Sequence, residues 1–361
     1  MGRGATRHSG APGGGRWVHH GGRQRRTTAR PLLILALAAL LVPLLAACGT
    51  TTNGPVTTVK PTGADGYPHP EYLADTSWLN DRLGDRFIRI VDLSPLEDYE
   101  RGHLPGAVHV WWQDLIEVNN GTYGMLVDPA GRKRVFEAAG IEEGMTVVAY
   151  DNTGGRYAAR FLWTLLYTDY ASGRLLDGGY ATWQAEGRPT TRDVPTIIPS
   201  RLTDRATREE YLINGEDLLR DLGQQRLAVV DTRTLAEGRE TWSGGLRFGR
   251  IPGARSIPWD RNLAQKNTAI VRDPAELDRV YSGQALAKDQ PIAVYGLTGG
   301  DAAHTFWMLR VLGYKDVRLY DGSWAEWGAN VPNTPYTVEP LAVGDAPQEA
   351  PVAVSAQSEA H

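Results

Sequence analysis

Short apolar runs alternate with helix-like stretches along most of this chain. Four runs of five residues, rich in Val, Ile and Ala, predict buried strands; they lie at 88–92, 147–151, 227–231 and 292–296. Residues 302–312 predict a helix that ends at Gly313, and residues 157–167 form its counterpart. Strands that alternate with helices in this way predict an α/β fold with mainly parallel sheets.

The pattern occurs twice. Gly-His-Leu-Pro-Gly-Ala at 102–107 has a counterpart, Gly-Arg-Ile-Pro-Gly-Ala, at 249–254. From the second glycine of each motif to the end of the next apolar run is 45 residues in the first copy and 43 in the second. A further 26 and 25 residues lead to an Asp-Gly pair. Landmarks that keep their order and spacing predict two homologous domains, which we place at residues 68–195 and 196–337.

The N-terminal region has the features of a secretion signal. An Arg-rich stretch precedes an apolar run, 32–44, which is followed by Leu45-Ala46-Ala47-Cys48. The run is shorter than the ~20 residues of a membrane-spanning helix, and small residues before a cleavage point are typical of a signal peptide. The cysteine directly after that point resembles the lipobox of bacterial lipoproteins, which implies that Cys48 carries a lipid.

We therefore expect residues 1–47 to be a lipoprotein signal peptide. The mature protein would be extracytoplasmic and lipid-anchored to the bacterial cell membrane. The alternative is an uncleaved N-terminal anchor helix in which Cys48 has no special role. Residues 48–67 and 338–361 lack periodicity and predict a flexible spacer and a disordered tail.

The charge of the chain and its single cysteine limit the classes of function that are possible. Residues 1–47 contain seven arginines and no acidic residue, so their removal changes the formal charge from −4 to −11. An acidic mature chain argues against nucleic-acid binding. Cys48 is the only cysteine, and His69, His109 and His304 have no metal-ligand spacing. We expect neither a metal nor a cofactor.

The duplicated motifs, together with Tyr-Asp-Gly-Ser-Trp-Ala-Glu-Trp-Gly at 320–328, resemble the rhodanese family over about residues 70–335. The similarity is to the tandem-domain thiosulfate and 3-mercaptopyruvate sulfurtransferases. It implies an α/β fold of two rhodanese-like domains, the first inactive with an aspartate at its loop start, which Asp151 matches. It also implies a catalytic cysteine at the start of the second loop, which becomes a persulfide when it takes sulfur from the donor.

The second loop departs from that family pattern. Gly296 occupies the cysteine position, and glycine has no nucleophilic side chain, so we assign no catalytic residue and do not expect persulfide chemistry. The loop residues are Gly296, Leu297, Thr298, Gly299, Gly300 and Asp301. A strand, a Gly-rich turn and a helix start could still hold an anion on backbone N–H groups. Asp301 stands where the family commonly has Arg or Thr, and its charge disfavours an anion.

Other interpretations of this loop remain open at the level of sequence. The loop could now only connect a strand to a helix. Thr298 could act as a hydroxyl nucleophile, although no partner base is evident. The resemblance also implies that arginines in this part of the second domain, such as Arg247 and Arg250, bind the anionic group of the donor. Those arginines could equally offset the acidity of the domain.

The first-domain loop combines Asp151 with Gly154, Gly155 and Arg156. Arg156 could face an anion held on the Gly154 and Gly155 amides. It could instead pair with Asp151 or lie in solvent.

Two hypotheses of function follow. The first is a lipid-anchored, non-catalytic member of the sulfurtransferase family that binds a small anion or a protein partner. The alternative is an active thiosulfate or 3-mercaptopyruvate sulfurtransferase that works by an atypical route, for example with the cysteine of a partner.

Overall fold

The computed structural model of the protein describes residues 64–234, 246–265 and 268–339. All of them belong to one structural unit, Thr57–His361. The predicted signal peptide, Cys48, and most of the predicted spacer and tail lie outside the described residues.

The first domain is built on a five-stranded sheet in which every neighbouring pair of strands is parallel. The strands of this domain are β1 (Leu73–Ala74), β2 (Ile88–Asp92), β3 (Val108–His109), β4 (Ile116–Asn119), β5 (Thr122–Leu126), β6 (Thr146–Tyr150) and β7 (Ser172–Leu176). The sheet order is β1-β7-β6-β2-β3, and β4 and β5 form a separate antiparallel hairpin. The helices are α1 (Thr76–Asn80), α2 (Leu96–Arg101), α3 (Pro129–Ala138), α4 (Arg156–Thr168) and α5 (Gly179–Ala185).

The second domain repeats this topology. Its strands are β8 (Leu212–Ile213), β9 (Ala228–Asp231), β10 (Arg255–Ser256), β11 (Ile292–Tyr295) and β12 (Val317–Tyr320). Its helices are α6 (Gly215–Gly223), α7 (Pro274–Ser282), α8 (Gly299–Val311) and α9 (Ser323–Trp327). The sheet order, β8-β12-β11-β9-β10, matches that of the first domain strand for strand, and all pairs are parallel. The predicted α/β architecture with two homologous parallel sheets is confirmed.

Helices α4 and α8 join the two domains. Strands β6 and β11 are almost entirely buried, as expected of parallel strands covered on both faces. The helix after each strand is also buried around most of its circumference, because α4 and α8 pack against each other as well as against their own sheets. Their apolar side chains, among them Phe161 and Phe306, belong to one core cluster. The loops that follow β6 and β11 are therefore held at the domain junction.

Short 3-10 turns complete the fold at Pro70–Tyr72, Trp112–Leu115, Glu209–Tyr211 and Trp259–Asn262. Within the residues described above, no helix has both the length and the apolar character needed to cross a membrane.

Candidate functional site

The second-domain loop has the strand–turn–helix form that the sequence predicts. Gly296 directly follows β11, and α8 begins at Gly299. The start of α9 fixes the loop backbone from the other side. The Gly296 N–H donates to Ser323 Oγ at 3.2 Å, and the Trp324 N–H donates to the Gly296 carbonyl at 3.0 Å. The Ala325 N–H donates to the Leu297 carbonyl, also at 3.0 Å.

The space beside Gly296 is already filled. A Cβ at position 296 would lie 2.8 Å from the Thr298 carbonyl oxygen and 3.2 Å from both Asp301 Cβ and Thr232 Oγ1. The first of these contacts is with backbone, which cannot rotate away as a flexible side chain can. Any side chain at this position requires the loop to move. The loop is thus closed over the place where the family pattern puts a thiol.

The first domain covers this loop. Gly124 of β5 packs against Thr298, so that a Cβ at position 124 would lie 2.8 Å from Thr298 Cγ2. The guanidinium of Arg160, from α4, packs directly against Gly299 and leaves no room for a side chain there. Glycines at both positions allow the two domains to approach this closely.

Arg160 makes a buried ion pair across the junction. Its Nη2 lies 2.5 Å from Oδ1 of Asp321, the residue that follows β12. Only 1% of the Arg160 side chain and 7% of the Asp321 side chain are exposed. Asp321 Oδ2 also accepts the Leu126 N–H at 2.7 Å. The two groups compensate each other's charge in a site from which water is excluded.

The two loops also meet through Arg156 and Asp301, each the fifth residue after its loop start. Arg156 Nη1 lies 3.2 Å from Asp301 Oδ1, and 28% of the arginine side chain is exposed. The guanidinium lies 5.0 Å from the ring centre of Tyr157 and 5.6 Å from that of Trp259. Neither an exogenous anion nor Asp151 is needed to account for Arg156, because its partner comes from the other domain. Arg156 in turn offsets the negative charge of Asp301.

In the first-domain loop, several backbone amides converge on the loop's own carboxylate, that of Asp151, and the Gly155 amide is one of them. Asp151 Oδ1 accepts the Thr153 N–H at 2.6 Å, the Thr153 hydroxyl at 3.0 Å and the Gly155 N–H at 2.9 Å. Oδ2 accepts the N–H groups of Tyr157 and Ala158, both at 2.9 Å. Amides of the loop and of the helix start thus bind the Asp151 carboxylate; binding of an exogenous anion stays a prediction.

Arg247 and Arg250 bind the C-terminal part of the second domain. The Arg247 guanidinium donates to the carbonyls of Tyr336 and Trp327 at 2.8 and 2.5 Å. Arg250 pairs with Glu339 at 2.7 Å. These contacts give both arginines a structural role; an additional role in holding an anion stays a prediction.

His304 is enclosed in the junction. Its Nδ1 lies 3.2 Å from Asn262 Nδ2. Burial, with a smaller contribution from the Arg156 charge, lowers the pKa of His304 to about 3, so the ring is neutral at physiological pH. Over the described ranges, no group of three or more His, Cys, Asp or Glu residues is arranged to hold a metal ion.

Sequence reasoning missed the Arg160–Asp321 pair. The only available signal was an arginine inside an otherwise apolar helical segment, since a long charged side chain in such a place needs a partner. The sequence offers no indication that the partner comes from the other domain.

Comparisons with known proteins agree with this architecture. A model of the rhodanese-like domain matches residues 75–186 and 214–330. The sulfur carrier protein TtuD of Thermus thermophilus is 32% identical over 278 residues, which cover 73% of this chain and 95% of the relative. A thiosulfate sulfurtransferase of Corynebacterium glutamicum is 35% identical, with 73% and 89% covered.

Solved structures show the same fold. Escherichia coli SseA, a 3-mercaptopyruvate sulfotransferase, superposes with a TM-score of 0.61 at 24% identity over 70% of this chain and 98% of its own. The anaerobic ergothioneine biosynthesis enzyme of Chlorobium limicola gives 0.66 at 20% identity, with 75% and 71% covered. The duplicated sheet, the two loops at the domain junction and these matches together establish that the chain belongs to the rhodanese family, as a tandem-domain homologue of the thiosulfate and 3-mercaptopyruvate sulfurtransferases.

Proposed function

We propose that this protein is a non-catalytic member of the sulfurtransferase family that binds a small anion or a protein partner. We further propose that a lipid on Cys48 anchors it outside the cytoplasm. The observation that carries the first proposal is the closed loop at Gly296. A backbone carbonyl lies 2.8 Å from where the Cβ of a catalytic residue would begin.

Persulfide chemistry requires a thiolate at the site of transfer. The chain has one cysteine, Cys48, which belongs to the proposed lipid anchor. Loss of the nucleophile alone would leave an open cradle. In this protein the loop also closes, and the Arg156–Asp301 pair occupies the region beside it. The missing thiol, the closed loop and the Arg156–Asp301 pair all support the loss of sulfur transfer.

The domain junction supports a binding role. Trp112, Tyr157 and Trp259 are half-buried there, with Arg156 between the last two rings. Tyr157 stacks on Trp112 with ring centres 4.6 Å apart. Partly exposed aromatic and arginine side chains on a rigid support are typical of binding hot spots. The shared core of α4 and α8 supplies that rigid support.

Sulfur loading tests the proposal directly. A truncated chain that begins at Gly49, without the anchor cysteine, is incubated with thiosulfate or 3-mercaptopyruvate and its intact mass is measured. We expect no added sulfur, because no thiol is present. A Gly296→Cys variant should also stay unloaded, because the loop must distort to admit its Cβ and so does not present the thiol in a formed site. A stable sulfur adduct on the wild-type chain would overturn the proposal and favour the atypical sulfurtransferase.

The anchor is tested separately, by labelling cells with radioactive palmitate and fractionating their membranes. Wild-type protein should carry the label and fractionate with membranes, whereas Cys48→Ser should lose both properties. Unlabelled protein that remains in the membrane fraction would favour the uncleaved anchor helix instead.

A further inference from the structure

Each domain donates one backbone N–H to an aspartate of the other. Leu126, at the end of β5, donates to Asp321, which follows β12. Val271 donates to Asp177 Oδ1 at 2.8 Å, and Asp177 follows β7, the strand equivalent to β12. The Gly178 N–H also donates to the Ala269 carbonyl at 3.0 Å. The two domains therefore cover each other. Residues 268–272 lie against the first domain, and the β4–β5 hairpin lies against the second.

In these two contacts between the domains, the aspartates differ in their partners. Asp321 is paired with Arg160. The residue equivalent to Arg160 in α8 is Thr305, which is buried and neutral. Within the part of the chain that the structure describes, Asp177 Oδ2 is buried without a hydrogen-bond partner. One contact is therefore a compensated ion pair, and the other rests on an uncompensated carboxyl group.

Within the described ranges, no positively charged group contributes to the pKa of Asp177. From α1, the N-cap residue Asp75 contributes a second acidic group. In the covering segment, Arg272 donates to the Arg261 carbonyl and lies 3.4 Å from Glu276. The carboxylate of Asp151, in the neighbouring loop, is held by its own amides. Burial, reinforced by the field of Asp75, raises the pKa of Asp177 to about 7 against the opposing effect of the Val271 and Gly178 N–H groups.

We propose that Asp177 is a proton-dependent latch between the two domains. Its neutral form favours docking of residues 268–272, because burial penalises the charged carboxylate by more than the Val271 N–H stabilises it, and its ionisation favours undocking. A solvated carboxyl group has a pKa near 3.9. The docked arrangement therefore binds the proton more tightly than the undocked one, and rising pH favours undocking.

Undocking would uncover the flank of the first-domain loop. A Cβ at Gly179 would lie 3.0 Å from the Asp151 carbonyl and 3.2 Å from Ala269 Cβ, so the covering segment lies directly beside that loop. The latch would thus link external pH to the accessibility of residues 151–156. This inference does not depend on whether sulfur transfer is lost.

Amide hydrogen exchange of Val271 tests the latch, with Leu126 as the internal control. Base catalysis accelerates the intrinsic exchange of both amides alike, so the ratio of their protection factors does not depend on it. Release of one proton on undocking should lower the Val271:Leu126 ratio about tenfold between about pH 6 and pH 8. In Asp177→Asn, which keeps an acceptor oxygen but does not titrate, the ratio should stay constant.

A ratio that is independent of pH in the wild type, or one that falls equally in Asp177→Asn, would refute the latch. If the variant fails to fold, infrared spectroscopy of the wild type decides the matter. A buried protonated carboxyl band should disappear with a midpoint near pH 7. Absence of that band at about pH 5.5 would equally overturn the proposal.

Discussion

Replacement of Arg160 by methionine should destabilise the protein more than any loss of a surface ion pair. The substitution removes the charge while keeping an unbranched side chain of similar length. It leaves Asp321, which is 7% exposed, with the Leu126 N–H. Breaking one side of a buried pair costs about 3–5 kcal/mol, because a charged group then remains in an apolar environment. The guanidinium also lies 4.9 Å from the Trp163 ring centre, and that contact is lost.

Urea denaturation followed by tryptophan fluorescence and circular dichroism measures this cost. In a thermal scan, the midpoint of unfolding should fall by about 6–20 °C, at about 2–4 °C for each kcal/mol. Asp321→Asn completes a double-mutant cycle with Arg160→Met. We expect the double variant to be less destabilised than the sum of the singles by about 2 kcal/mol. Arg101→Met, which breaks an exposed pair with Asp98, is the control and should change stability by less than about 0.5 kcal/mol.

Strict additivity in this cycle would refute the reasoning, as would a cost below about 1 kcal/mol for Arg160→Met. Either result would mean that Arg160 and Asp321 are not coupled across the junction.

Further predictions concern the two loops and their surroundings. Gly296→Ala should destabilise by about 1–3 kcal/mol in urea, because its Cβ meets the Thr298 carbonyl; Gly300→Ala, whose Cβ meets nothing within 4 Å, should not. Asp151→Asn loses one of the two acceptor oxygens that bind loop amides, so it should lower stability by about 2 kcal/mol; an unchanged urea midpoint would contradict the filled cradle. His304 has a folded-state pKa of about 3, below its ordinary value of 6.5, so the unfolded chain binds its proton first and stability should fall as pH drops through this window. His304→Gln should remove that dependence, which amounts to about 5 kcal/mol of stability at most, and an unaltered pH profile would count against a neutral buried ring.

The fold could be predicted from the sequence because its signals are local and occur twice. The run at 88–92 corresponds to β2 without a shift, and the repeated spacing predicts two homologous domains, whose sheets have the same strand order. The helix predicted at 302–312 begins three residues earlier, at Gly299. Thr298 is extended and forms the N-cap, so the two glycines that indicated a loop are the first residues of the helix.

The site was less predictable, because its contacts join residues that are distant in sequence. The partner of Arg156 is 145 residues away, in the other domain. The closed space at Gly296 depends on the path of the loop backbone, which composition does not specify. The cradle at Asp151 was recognised as a local pattern. The sequence does not show that the Asp151 carboxylate itself accepts these N–H groups, because that carboxylate could as readily have faced another group.

An assay of thiocyanate formation from cyanide and thiosulfate, with the chain truncated to begin at Gly49, tests the central claim most directly. The thiosulfate sulfurtransferase of Corynebacterium glutamicum is the positive control. With Gly296 in a closed loop and no thiol present, the rate should equal that of a sample without protein. Turnover well above that background would contradict the account, because it would show that sulfur transfer proceeds without the nucleophile and the open loop that it is taken to require.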